Sequence, residues 1–113
     1  MTLFYGVHVY NLKLEVSRAE FERFVVEEWL PFVMRKPGCK GANLLKGYTG
    51  EWMKQKMDYA TMDIWESCAA NRKAWGGPTN VWIDPPDLHP LMERFRSYVQ
   101  PASFRTLEFE CII

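Results

Sequence analysis

Between Lys56 and Trp65 the residues alternate in character, with Ala60, Met62 and Ile64 on one side and Tyr59, Thr61, Asp63 and Trp65 on the other. Successive side chains of a strand point to opposite faces, so such a segment loads both faces of a sheet with apolar or aromatic groups. A chain built on it needs cover on two sides. Leu3 to Leu12 reads the same way, with Tyr5, Val7 and Val9 against Phe4, Gly6, His8 and Tyr10. Lys40 to Tyr48 and Phe104 to Ile112 supply two further strands, the last alternating Leu107, Phe109 and Cys111 with Thr106, Glu108 and Glu110.

Helices fall between these strands. Ser17 followed by Glu20 fits a capping box, and Phe21, Phe24, Val25, Glu28 and Phe32 then recur at helical intervals. Pro31 predicts a bend near Trp29, and Pro37-Gly38 a stop. Ser67 can cap a short helix that runs to Trp75 and ends at Gly76-Gly77. Thr49-Gly50 opens a loop carrying Trp52, and Pro78 to Asp87, with Trp82, reads as an irregular crossing. A last helix spans Pro90 to Val99 before Pro101.

The order βαββαβ predicts a ferredoxin-like α+β sandwich, a four-stranded antiparallel sheet with its helices on one face. With 113 residues the chain suits one domain, 1–113. Phe4, Tyr10, Tyr59, Trp65 and Phe104 are expected on the uncovered face. At about 150 Å² or more per ring they would expose roughly 750 Å², more than a monomer usually leaves wet. A homodimer follows, sheet against sheet, closing a barrel-like pocket. The competing arrangement folds the Pro78 to Asp87 loop over that face.

Lys plus Arg and Asp plus Glu both number 14, so no basic surface points to nucleic acid. No apolar run approaches the ~20 residues of a membrane span, and Met1 to Tyr10 lacks an export pattern, so cytoplasm is expected. Cys39, Cys68 and Cys111 lack metal-ligand spacing and read as reduced thiols, and no metal site is expected.

The helix ending in Lys36-Pro37-Gly38 before a strand, and Ile64-Trp65-Glu66-Ser67 running from strand into helix, resemble the dimeric α+β barrel superfamily, in its antibiotic-biosynthesis-monooxygenase-like branch. The resemblance covers nearly the whole chain. It implies a cofactor-free monooxygenase or isomerase acting on a small aromatic molecule in a pocket between sheet and helices. Alternatives are a non-catalytic ligand-binding or assembly dimer, or a haem-binding or haem-degrading protein. Haem degradation in that superfamily uses an asparagine on the first strand, a tryptophan ending the third and a histidine on the later helix. Here Trp65 matches, His89 stands near the histidine, and the asparagine position falls on His8.

His8 is the candidate acid or base, since an imidazole exchanges protons near neutral pH; the bland reading is a hydrogen-bonded core residue. Asp63 would orient His8 if the first and third strands are neighbours, or pair with Arg105. Trp65, Tyr59 and Tyr10 could clamp a flat substrate, or be dimer core. His89 is the remaining candidate for substrate binding, or simply begins a helix.

Overall fold

The alternating segment forms a strand inside a sheet. A computed structural model describes residues 2–48, 57–76 and 86–113. Among them run β1 (Phe4–Tyr10), α1 (Arg18–Phe24), a π-helical turn (Val25–Trp29), α2 (Leu30–Met34), β2 (Cys39–Lys46), β3 (Tyr59–Trp65), α3 (Cys68–Ala74), α4 (His89–Tyr98), a 3-10 turn (Pro101–Ser103) and β4 (Arg105–Glu110). The loop expected around Thr49-Gly50 and Trp52, and Gly77 to Pro85 with Trp82, lie outside the described residues. The sheet order is β2-β3-β1-β4, with every neighbouring pair antiparallel. The first and third strands are therefore side by side.

Local chemistry explains the helix ends. Ser17 Oγ accepts the Glu20 N–H, and Ser67 Oγ accepts the Ala70 N–H at 3.0 Å. Pro31, which lacks an N–H, is reached through the π turn, in which the Leu30 N–H bonds back to the Val25 carbonyl. The bend expected near Trp29 is thus a widened turn between two α-helical pieces. Past α2 the chain reverses at Gly38, where φ is +86° and an added Cβ would lie 2.7 Å from the Ala70 Cβ. Only glycine suits both the left-handed backbone and the contact.

The facing of the sheet corrects the expectation from sequence. Phe4, Tyr10, Tyr59 and Trp65 are buried within one chain, at 6%, 0%, 1% and 0% exposure, and only Phe104 remains partly open. They lie under the helices, where Phe21 packs 5.0 Å from Tyr59 and Phe95 lies 5.2 Å from Tyr10, ring centre to ring centre. Alternation decides which residues share a face but not which face receives the helices. Here the larger rings go inward because the aromatic stripe of α1, the π turn and α4 needs matching volume. The outer face instead carries Tyr5, Val7, Val9, Met62 and Ile64, continued on β4 by Leu107 and Phe109, about half exposed. An apolar sheet face without helices does exist, but it is the opposite one. The rings expected to line a pocket between two sheets are instead core residues of one chain.

Candidate functional site

Register builds the floor of the site. Across β3, β1 and β4, Thr61, His8 and Thr106 form one row, and Asp63, Gly6 and Glu108 the next, all on the helix side. His8 Nε2 lies 3.0 Å from Asp63 Oδ2, and its Nδ1 lies 3.1 Å from Thr106 Oγ1. Turning the ring over would set carbons against both oxygens, so this orientation is the one that satisfies the partners. Asp63 also accepts the Trp65 indole N–H, two residues along the same face. A carboxylate is an acceptor only, so two donors must meet it, and His8 carries its proton on Nε2. The basic nitrogen of the neutral ring is then Nδ1.

Gly6 is what lets the pair form. A Cβ there would stand 2.8 Å from Asp63 Oδ1 and 3.5 Å from His8 Nε2. A glycine inside a strand often marks such a close approach.

Above this floor lies a cavity of about 590 Å³, within the usual size of small-molecule sites. His8, Thr61, Thr106 and Glu108 face it from the sheet; Trp29, Trp75, Met92, Phe95 and Val99 face it from the helical side. Phe104 stacks on the His8 ring at 5.8 Å. Glu108 is gripped by the Arg72 guanidinium through both nitrogens, one contact being 3.0 Å. The cavity is thus polar along the sheet and mostly apolar along its roof, where Arg96 of α4 also faces it, a layout suited to a flat apolar molecule with hydroxyl groups on one edge.

The residues expected from sequence divide between cavity and core. His8 faces the cavity, with Asp63 buried behind it. Asp63 partners His8 and Trp65, whereas Arg105 bonds the Ala102 and Phe104 carbonyls. Trp65, Tyr10 and Tyr59 are core residues of one chain and do not line the cavity. Burial holds the Tyr10 phenol well above its ordinary pKa. It stays a neutral phenol under ordinary conditions. The Tyr59 hydroxyl donates to Glu22, and its pKa is raised first by burial and then by that carboxylate. His89 is exposed in the first turn of α4, outside the cavity lining. Burial likewise pushes the Cys39 thiol up.

Haem fits poorly here. His8 has both ring nitrogens engaged and His89 lies outside the cavity, so neither of the two histidines stands as an axial ligand.

The roof tryptophans and the β4 pair Thr106 and Glu108 were not singled out from sequence. A signal existed for β4: its polar residues alternate, and antiparallel pairing with β1 sets them opposite Gly6 and His8.

No protein-family model and no curated protein matches the chain. Solved structures do. SnoaB, a cofactor-independent oxygenase from Streptomyces nogalater, is 18% identical, with a TM-score of 0.62 over 99% of this chain and 93% of that one. A hydroxynitrile lyase from Passiflora edulis is 12% identical, with a TM-score of 0.67 over 96% and 93%. A dimeric protein of unknown function and ferredoxin-like fold from Bacteroides fragilis is 7% identical, with a TM-score of 0.64 over 96% of each chain. These likenesses show the fold alone, a ferredoxin-like α+β sandwich.

Proposed function

We propose that the chain, taken as one domain over residues 1–113, is a cofactor-independent monooxygenase or isomerase acting on a small aromatic molecule held between sheet and helices. The observation that carries this reading is the His8–Asp63 pair, with His8 facing a cavity roofed by aromatic rings and Asp63 buried behind it. His8 takes a proton from a ring hydroxyl, and Asp63 holds the ring and stabilises the imidazolium that results. The electron-rich anion left behind is the species that isomerises, or that gives electrons to dioxygen. In the oxygenase case a new carbon–oxygen bond forms, one oxygen atom remains in the product as a carbonyl, and the other leaves as water with two hydrogens from the substrate. SnoaB, described as a cofactor-independent oxygenase, supports this class. The hydroxynitrile lyase supports a second reading, in which the same base takes the hydroxyl proton of a cyanohydrin and the carbon–carbon bond to cyanide breaks.

The deciving test is an oxygen electrode with aromatic hydroquinones, run beside cyanide release from aromatic cyanohydrins. Saturable oxygen uptake that vanishes in His8→Ala is expected. Uptake indifferent to His8→Ala refutes the base assignment, and His8-dependent cyanide release transfers it to the lyase reading.

The same proposal pairs two copies through the outer sheet face, in the cytoplasm, where Cys39, Cys68 and Cys111 stay free. Val7, Met62, Leu107 and Phe109 make that face too apolar to leave wet. Light scattering is expected to give twice the chain mass. The double variant Val7→Glu, Phe109→Glu, which places like charges at the junction, is expected to give the single mass; an unchanged dimer would rule this face out.

A further inference from the structure

We infer that Thr106 is a proton relay, standing between the substrate hydroxyl and His8 Nδ1. This rests on His8 being the base. Nε2 carries a proton and donates it in a hydrogen bond to Asp63, so only Nδ1 can receive one. Its lone pair can accept a hydrogen bond from Thr106 Oγ1, which stands 3.1 Å away. The ring cannot easily swing away, because Phe104 stacks against it and Asp63 holds the opposite nitrogen. A molecule lying over the floor meets both His8 and Thr106, and the threonine oxygen stands at the basic nitrogen.

The step balances without an added reagent. The Thr106 O–H bond breaks as its proton passes to Nδ1, while the substrate O–H bond breaks as that proton replaces the one Thr106 gave up. The substrate becomes an oxyanion, His8 becomes an imidazolium hydrogen-bonded to ionised Asp63, and Thr106 ends as it began. Two protons move together. Thr61, in the same row on the other side of His8, also faces the cavity, but the two ring nitrogens of His8 meet Thr106 and Asp63. That leaves Thr106 as the hydroxyl aimed at the basic nitrogen.

The test combines kinetics with a measurement that needs no substrate. In the full chain, turnover of an aromatic hydroquinone is followed across mixtures of light and heavy water. A curved dependence, the mark of two protons in flight, is expected for the natural protein and for Thr106→Ser. Thr106→Val, which keeps the shape and loses the hydroxyl, is expected to lower kcat by about 10- to 100-fold with KM nearly unchanged, and to make the dependence linear. The serine variant should recover kcat to within about threefold, a rescue that a purely structural role would not require of an oxygen atom. Separately, nitrogen NMR of the free protein is expected to show His8 protonated on Nε2, with the Nδ1 signal moving in Thr106→Val. A linear dependence in the natural protein, a valine variant at full speed, or a proton on Nδ1 of the neutral ring overturns the relay. Should His8→Ala abolish turnover while Thr106→Val spares it, the relay falls and the base stands; should His8→Ala spare it, both fall.

Discussion

Asp63→Asn is expected to fold and to lose about a thousandfold in turnover. The carboxylate now accepts from both the Trp65 indole and His8 Nε2. A carboxamide has one accepting oxygen and one donating nitrogen, so it can satisfy only one of them in the present arrangement. If its oxygen stays with Trp65, its amino group faces Nε2, which must give up its proton and become the acceptor. The ring proton then sits on Nδ1, toward Thr106, and the site's base is hidden against the amide. In serine-protease triads the same exchange leaves the geometry intact and costs about 10⁴ in kcat through the wrong tautomer; a somewhat smaller loss is expected where the pair is partly open to the cavity. The measurement is kcat together with the nitrogen spectrum of His8. Turnover within tenfold of the natural protein, with Nε2 still protonated, would show that Asp63 does not set the tautomer.

Gly6→Val is expected to destabilise the fold by about 2–3 kcal/mol, through overpacking and a displaced acceptor. Its first side-chain carbon would arrive 2.8 Å from Asp63 Oδ1, inside contact distance. Asp63 is 5% exposed, has β1 on one side and β2 on the other, and cannot retreat without releasing the indole or the imidazole. The cost therefore combines a steric push with the loss of a buried hydrogen bond. For a domain of this size it should lower the melting temperature by about 10 °C in a calorimetric or circular-dichroism scan. Gly6→Ala is expected to fall between the two. A melting point within 3 °C of the natural protein would mean that the pair is held loosely, and that its geometry is not fixed by the glycine.

Much of the frame is legible in the sequence. Ser17 and Ser67 announce helix starts, Pro37-Gly38 an abrupt end, and the alternation of β1 and β3 their shared sheet. His8 and Asp63 could be placed on one face by parity alone, and the antiparallel register of β1 with β3 then brings them together. What parity lacks is a sign. It groups Phe4, Tyr10, Tyr59 and Trp65 correctly yet says nothing of which side the helices choose, and that choice depends on volumes contributed by Phe21, Trp29 and Phe95 from distant parts of the chain. For the same reason Tyr10, Tyr59 and Trp65 form core rather than the aromatic clamp that their spacing suggests. Trp65 is polar-tipped because its indole anchors a carboxylate, and the rings that roof the cavity, Trp29 and Trp75, come from helical segments whose rotation cannot be read from spacing once a π turn intervenes.

That π turn has an effect of its own on the roof. It accommodates one residue more than the α turn it replaces, so everything after it is advanced by roughly 100° about the helix axis. Trp29 and Val33 owe their inward azimuth to this phase slip, since both are buried while the neighbouring Glu28 and Met34 are exposed. A chain shortened by one residue between Val25 and Leu30 would wind as a plain α-helix and rotate the indole of Trp29 off the ligand space, leaving the polar floor intact beneath an absent ceiling.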